Sequence, residues 1–429
     1  MPCHRVAPWW VYLGFALALL PSCKTTLDSV GCSERAIGSH DGGGVEGGAH
    51  LLPLVVPPSY PNMFRDLLGV SESDIDAKIN ATFDQLFHGD PSTQAIYFTT
   101  GTDQAYIRDT FHGDIRTEGI GLGMMIAVEL GKRDELDRLW RYTQAHQESS
   151  GASQGYIRSF CNSGSPVSCF DPFGLQEIAT ALLLARGRWQ DTPGDIDYAQ
   201  EARNLLDLIR FKEAYNCGVV EGVTGTFDPK SKLVHDTPST DSANISRPSI
   251  AMPAFYELWG QATNDPFWSQ AATAARAYWK ASANPKTGLM PEQAHFDGTP
   301  VQGFATFEPE GDRALINMTL DHMWFGNNQS WAADESDESD RLLQFFYSQG
   351  FNIYGKIYSL DGKIVTDPSH DPSLVAANGA IALISTYEHR TEFINAVWEL
   401  TLQSGPYRYY SGLIGLTSML ILSGKMQVY

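Results

Sequence analysis

Glu118 is a candidate for chemistry because of where it stands in the chain. It lies in the run GDIRTEGIGLGM, where a polar loop changes into an apolar stretch rich in small residues. Partial burial there would raise the pKa of the carboxyl and keep it protonated, which is what a general acid requires. The alternative is an ordinary glutamate in the first turn of a helix, interacting with the helix dipole, with Thr117 as the cap. The glycines do not form a GxGxxG nucleotide-binding fingerprint.

A second group of carboxylates follows much later in the chain. Glu308, Glu310 and Asp312 stand beside Arg313 in the run FEPEGDR. They could form a solvated loop or a base held by a cation, and their spacing alone does not decide between these. An acid and a base in two distant loops are what hydrolysis of a glycosidic bond needs. An enzyme that inverts the anomeric centre holds the two carboxyls about 6.5–9.5 Å apart, which leaves room for a water molecule.

The elements that would position these loops are helices. Apolar residues recur at i, i+3, i+4 and i+7, and strand-like alternation is confined to 95–99 and 219–226. Helices joined by long loops predict an all-α fold, an (α/α)6 toroid in which six helical hairpins close into a ring. The predicted helices cover 74–87, 117–131, 133–147, 174–187, 197–210, 249–261, 266–282, 312–325, 337–349, 373–387, 390–403 and 410–424.

Five ordered motifs between residue 60 and the C-terminus resemble those of glycoside hydrolase family 8. The run TEGIGLGMM is similar to the acid motif of that family. The spacing of Arg313, Asn317, Asp321 and Trp324 is similar to its R-x-x-x-N-x-x-x-D-x-x-W pattern. The other three motifs are RPSIAMPAFYELW, NPKTGLMP and PYRYYSGL. The opening runs NMF and IDAK are nearest the branch of reducing-end xylose-releasing exo-oligoxylanases.

The resemblance implies an (α/α)6 toroid that hydrolyses β-1,4-linked sugar chains with inversion. Glu118 matches the general acid of the family. The family's base is an aspartate three residues before the motif arginine, and that position holds Glu310, with Asp312 as the second candidate. The chemistry requires no cofactor. The sequence has no CxxC pair and no HExxH motif, so zinc has no support.

The resemblance also identifies candidate sugar-binding residues, some at positions where this sequence departs from the family pattern. Phe173 replaces the family's sugar-binding aspartate, and Asp171 is the nearest substitute. His370 stands where the exo-oligoxylanase branch has a histidine that recognises the reducing-end sugar. The alternative interpretation is that His370 is an ordinary histidine in a surface loop. The substrate-binding candidates are Arg116, Phe173, Asp171, Arg313, Trp324, His370 and Tyr410. The other departures are Leu122, Arg247, Glu292 and Ser411, each of which removes or moves a polar group at the cleft.

The N-terminus predicts export. Arg5 precedes a short apolar stretch, and the tetrapeptide LPSC, which ends at Cys23, resembles a bacterial lipobox. We expect a signal peptide at 1–22, a lipidated Cys23 with a flexible tether over 23–58, and one catalytic domain at 59–429. Secretion after cleavage at another site is the alternative. Cys161 and Cys169 flank a turn-rich stretch and could close a small loop in an exported protein.

The net charge of −20 disfavours nucleic acid as a partner, because the chain would repel phosphates. The sequence therefore predicts an exported bacterial glycoside hydrolase that meets the membrane only through lipid on Cys23. Its expected substrates are xylo-oligosaccharides. One alternative is the same chemistry on another β-1,4-linked polymer, such as glucan or chitosan. The other is a glycan-binding lipoprotein that kept the fold and lost turnover, which the changes at Phe173 and Ser411 would explain.

Overall fold

The structure is a computed structural model that describes residues 51–159, 170–190, 194–215 and 221–429. The predicted signal peptide, Cys23, most of the predicted tether, and the cysteines Cys161 and Cys169 lie outside the described residues. None of the helices in the described ranges is long and apolar enough to cross a membrane.

Helices dominate the described residues, and each of the twelve predicted segments overlaps one. The short first helix was not predicted. It has Asn62 as its N-cap, and it ends at Gly69 in the left-handed region. The helices are α1 (Met63–Leu68), α2 (Glu72–His88), α3 (Thr117–Glu129), α4 (Arg133–Ala145), α5 (Pro172–Arg188), α6 (Tyr198–Tyr215), α7 (Pro253–Thr263), α8 (Pro266–Ser282), α9 (Gly311–Phe325), α10 (Ala332–Ser348), α11 (Pro372–Ile381), α12 (Arg390–Glu399) and α13 (Arg408–Leu422).

The helices form a closed double ring. The inner ring consists of α3, α5, α7, α9, α11 and α13, each in contact with the next, and α13 closes the circle against α3. Each inner helix also contacts an outer partner, in the pairs α3–α4, α5–α6, α7–α8, α9–α10, α11–α12 and α13–α2. These six hairpins are the predicted (α/α)6 toroid.

The sequence explains which helices lie inside. Every residue of α3 is buried, as are 172–185 of α5, because these helices are apolar or small on all sides. An outer helix such as α4 buries only one stripe, formed by Leu136, Leu139, Trp140 and Thr143. That stripe has the spacing of a single helix face turned toward the core.

The inner helices begin at the same end of the ring. Two of these starts have an aspartate N-cap followed by proline: Asp171 caps α5 ahead of Pro172, and Asp371 caps α11 ahead of Pro372. Side-chain contacts join the first turns of neighbouring inner helices, for example Ser373 of α11 to Asp312 of α9. Six helix starts therefore surround one opening.

Small antiparallel sheets form within the loops that connect the helices. The first contains β1 (Tyr97–Thr100), β2 (Gln104–Asp109) and β3 (Asp114–Ile115). The second contains β4 (Ile245–Ser246) and β5 (Ala294–His295), and the third β6 (Thr306–Phe307), β7 (Ile357–Ser359) and β8 (Val365–Asp367). The predicted strand at 95–99 overlaps β1. In the described part of 219–226 only an isolated bridge of Val223 to Ser239 forms.

The segment just before the boundary predicted at residue 59 contacts the helices. Leu51 is buried, and the backbone N–H of Leu52 donates to the carbonyl of Ala262 at the C-terminal end of α7. Arg186 donates to the carbonyls of both leucines. Leu51 and Leu52, which the prediction places in the tether, are thus attached to α5 and α7, while Val55 and Val56 are exposed.

Candidate active site

Glu118 lies in the first turn of α3, at the end of the ring where the inner helices begin. Its buried side chain accepts a hydrogen bond at Oε2 from Nη1 of Arg313 (2.9 Å) and at Oε1 from the hydroxyl of Tyr409 (3.1 Å). Burial raises the pKa of Glu118, and the positive charge of Arg313 opposes this only in part. The carboxyl is thereby biased toward its protonated form, which is the form that a general acid needs.

The first turn of α3 is positioned by close packing and not by a side-chain cap. Arg116 occupies the cap position without a capping hydrogen bond, and the backbone N–H of Thr117 donates to the hydroxyl of Ser159 (2.9 Å), so Thr117 is not the cap. A Cβ on Gly174 of α5 would lie 2.3 Å from the carbonyl carbon of Thr117. Only glycine lets α5 approach the acid-bearing turn this closely.

Glu310 directly precedes α9 and faces the same opening. Its Oε2 lies 2.6 Å from Nη1 of Arg247 and 2.6 Å from Nη2 of Arg313, while 41% of its side chain is exposed. Burial raises the pKa of Glu310, but the charges of Arg313 and Arg247 outweigh it and lower the pKa to about 2. The carboxylate is therefore ionised and open to solvent, as a general base must be.

Arg313 bridges the two carboxyls. One of its terminal nitrogens contacts Glu118 and the other contacts Glu310. Because a guanidinium is small and planar, this bridge keeps the facing oxygens less than about 8 Å apart, an upper limit that is compatible with the roughly 6.5–9.5 Å separation of inverting glycosidases. The two pKa values move in opposite directions, as is expected of a general acid and a general base.

Arg247 connects the base to two further carboxylates. Its Nε lies 2.7 Å from Asp236, and its Nη2 lies 3.3 Å from Asp171. Asp171 in turn caps α5 by accepting from the backbone N–H of Phe173. The arginine that replaces an aspartate of the family pattern thus has an acidic partner at each of its three nitrogens, and it contacts the same oxygen of Glu310 as Arg313 does.

Two other predicted residues lie beside this cluster. Arg116 contacts Asp114 at 3.0 Å and Asp109 at 3.4 Å, at the rim of the opening. The Tyr410 hydroxyl donates to the carbonyl of Pro309, next to the base, at 3.4 Å. Arg116, Asp171, Arg313 and Tyr410 are therefore brought together with the two carboxyls.

Three predicted residues do not reach the opening as expected. Phe173 is only 1% exposed and lies under the guanidinium of Arg313, 4.3 Å away, so its ring supports the bridging arginine and offers no face to a sugar. Trp324 is buried in the core, where its indole N–H donates to the carbonyl of Met426. Asp312, the second candidate for the base, is fully buried and accepts from Ser373, and burial raises its pKa well above the ordinary value.

His370 precedes α11 and contacts Tyr354. Its Nδ1 is 3.0 Å from the carbonyl oxygen of Tyr354, and its ring packs edge-on against the Tyr354 ring. It lines a pocket of about 650 Å³ between the start of α11 and the end of α12. The pocket also has polar walls from Asn352, Glu392 and Asn395.

Sequence reasoning missed part of the cluster. Tyr409, the hydrogen-bond donor to Glu118, stands next to Tyr410 in the YRYY motif, which was the available signal. Asp236 stands in a stretch without any motif. Across the described ranges, no group of three or more His, Cys, Asp or Glu side chains could hold a metal ion.

A helical ring whose opening holds two carboxyls of opposite pKa shift, bridged by one arginine, defines the class of a glycoside hydrolase. Comparison with known proteins agrees. The family model described as "Glycosyl hydrolases family 8" matches residues 98–424. The reducing-end xylose-releasing exo-oligoxylanase Rex8A of Paenibacillus barcinonensis is 33% identical over 383 residues, which are 86% of this chain and 97% of that protein. A reducing end xylose-releasing exo-oligoxylanase of Halalkalibacterium halodurans is also 33% identical, covering 86% of this chain and 94% of the relative.

Solved structures show the same fold. The structure of Rex8A with xylose superposes with a TM-score of 0.77, covering 86% of this chain and 98% of that chain. A xylobiose complex from Teredinibacter turnerae, 31% identical, gives 0.78 with the same coverage. The chain belongs to glycosyl hydrolase family 8, and it is a glycoside hydrolase of an inverting family.

Proposed function

We propose that this protein hydrolyses β-1,4-linked xylo-oligosaccharides, with Glu118 as general acid and Glu310 as general base. The observation that carries the proposal is the Arg313 bridge between a buried carboxyl of raised pKa and an exposed carboxylate of lowered pKa. The choice of xylo-oligosaccharides is supported by relatives with that activity at 33% identity, compared with 23% for Endoglucanase C of Ruminiclostridium cellulolyticum.

In this mechanism Glu118 donates its proton to the glycosidic oxygen as the bond to the leaving sugar breaks. Glu310 accepts a proton from a water molecule that attacks the anomeric carbon from the opposite face, so the configuration inverts. Arg313 remains charged and interacts with both carboxyls throughout. Once Glu118 has lost its proton, Arg313 and the hydroxyl of Tyr409 stabilise the new negative charge through their hydrogen bonds.

The base is one methylene longer than the family's aspartate. The two arginines compensate for the extra freedom, because they hold Oε2 of Glu310 at 2.6 Å each. Asp171 is not free to replace the missing sugar-binding aspartate in full, since Arg247 and the N-terminus of α5 already engage it.

The test is hydrolysis of xylotriose to xylohexaose by wild type, Glu118→Gln, Glu310→Gln and Glu308→Gln. Glu308 is a matched control, because it lies two residues from the base, and its carboxylate accepts from Thr306 instead of either arginine. We expect losses of about 10³-fold or more for the first two variants and less than about 10-fold for the control. If the wild-type protein hydrolyses none of these oligosaccharides, the proposal is refuted.

The second candidate is hydrolysis of β-1,4-glucan, supported by the endoglucanases among the relatives, which are 22–26% identical. Cello-oligosaccharides in the same assay distinguish the two substrates.

We also propose that the chain is exported and carries lipid on Cys23. The support is the apolar stretch after Arg5 and the LPSC tetrapeptide. Metabolic labelling with a radioactive fatty acid, compared between wild type and Cys23→Ser in a bacterial host, tests it. Equal labelling of the two proteins would refute lipidation at Cys23.

A further inference from the structure

Two aromatic rings stack on each other in solvent beside the opening. Phe111 is 55% exposed and Tyr407 is 61% exposed, yet their ring centroids lie 5.0 Å apart at an interplanar angle of 24°. Large aromatic faces are usually buried, so an exposed stacked pair indicates a surface that contacts something.

Both rings stand on segments that lead to neighbours of the acid. Phe111 lies in the turn between β2 and β3, just before Arg116, and its backbone N–H donates to Asp109, which also contacts Arg116. Tyr407 directly precedes α13, whose Tyr409 donates to Glu118.

A hydrogen bond ties these two segments to each other. The hydroxyl of Thr110 donates to the carbonyl of Pro406 at 2.9 Å, so the residues before Phe111 and Tyr407 are linked directly. His112 adds a polar group at the edge of Phe111, with ring centroids 4.8 Å apart and planes at 89°. The two rings are therefore held in a fixed position relative to each other at the rim of the opening.

The chemistry of the pair fits a sugar. A pyranose ring presents axial C–H groups on its face, and these pack on aromatic rings, while its hydroxyls need polar partners at the edge. His112 and Arg116 provide such partners, since both side chains are partly exposed.

We propose that Phe111 and Tyr407 form an aromatic platform in which the free face of one ring stacks on a pyranose ring of a bound oligosaccharide, beyond the sugars that flank the cleaved bond, while the other ring supports it from behind. The inference rests on the proposed function in taking an oligosaccharide as the occupant of the cleft. The platform makes affinity depend on chain length, because a short oligosaccharide that fills the cleft at the two carboxyls does not extend to the rim.

The experiment measures binding by calorimetry in the full chain carrying Glu118→Gln, so that substrate is not consumed. Phe111→Ala and Tyr407→Ala are combined with it, and xylotriose, xylohexaose and cellohexaose are titrated. Val55→Ala is the matched control, since Val55 is an exposed apolar residue that contacts Gln261 near the C-terminal end of α7, the opposite end of the ring. The thermal midpoints of all variants are compared to verify folding.

We expect each platform variant to weaken binding of the hexasaccharide by about 5–10-fold and to leave xylotriose within about 2-fold, with no effect of Val55→Ala. Unchanged hexasaccharide binding, equal losses for both chain lengths, or no binding of either hexasaccharide overturns the platform. Hydrolysis by wild type is assayed in parallel. If wild type hydrolyses the oligosaccharides but the platform variants bind the hexasaccharide as tightly as Glu118→Gln alone, only the platform is refuted. If the platform variants lose affinity for the hexasaccharide alone and wild type shows no hydrolysis, the platform is supported and the proposed activity is refuted.

Discussion

Arg247 is expected to set the acidic limit of activity, because it keeps the carboxylate of Glu310 ionised. A general base must be unprotonated to accept a proton from water, so kcat/KM falls on the acid side around the pKa of the base in the free enzyme. Arg247 contacts Glu310 at 2.6 Å, and together with Arg313 it lowers the pKa of that group from 4.5 to about 2.

The magnitude follows from the two contacts. Replacing Arg247 by methionine removes one of two cations that share the effect, and 41% of the Glu310 side chain is exposed, so water screens each contribution. Loss of positive charge raises the pKa. We therefore expect the acidic limb of kcat/KM to move to higher pH by about 1 unit.

The assay is kcat/KM for one xylo-oligosaccharide from about pH 1.5 to 8, with wild type, Arg247→Met and Arg247→Lys, so that the range includes the acidic limb expected for wild type near the Glu310 pKa of about 2. The lysine variant keeps a positive charge, so its acidic limb should lie between those of the other two proteins. A methionine variant whose loss of activity is the same at every pH would refute the reasoning, because a purely structural defect does not move the limb.

Three further outcomes follow from the buried groups. Asp312→Asn should lower kcat less than about 10-fold, far less than Glu310→Gln, because burial already favours the neutral form of Asp312 and the amide oxygen can still accept from Ser373. Tyr409→Phe removes a donor to the ionised form of Glu118, so the alkaline limb of kcat/KM should move to higher pH by a few tenths of a unit, and an unchanged limb would contradict this. Burial raises the pKa of Glu129 to about 8, so its contribution to stability is full below pH 4.5 and is lost as the pH rises to 8. Glu129→Gln should therefore match wild type in urea unfolding at pH 4.5 and be more stable by up to about 4 kcal/mol at pH 8.5.

Periodicity predicted the helices of the ring because each of them buries a stripe or its whole surface. The helix α3 illustrates this, since its run of apolar and small residues can only be an inner helix. The strand β1 was found through its alternation, but the six residues of α1 and the strands of two or three residues carry too little pattern to be found. The hydrogen bond from the backbone N–H of Leu52 to Ala262 of α7 is a tertiary contact.

The candidate site was predictable where motifs place residues at helix starts. Glu118, Glu310 and Arg313 are of this kind. The network of Arg247 with Asp171 and Asp236 could not be predicted from the sequence. Its members come from separate loops, and their charges alone do not determine which residues form ion pairs. Phe173 and Trp324 were assigned to sugar contacts by their positions in the motifs, but both are buried in the packed interior of the ring.

The most direct test of the acid and base assignments compares two leaving groups. β-Xylobiosyl fluoride needs little protonation to leave, whereas the xylose of xylotriose needs a general acid. If Glu118 is the acid and Glu310 the base, Glu118→Gln should hydrolyse the fluoride within about 10-fold of wild type while losing about 10³-fold or more on xylotriose, and Glu310→Gln should fail on both. Equal losses of Glu118→Gln on both substrates, or activity of Glu310→Gln on the fluoride alone, would contradict the account.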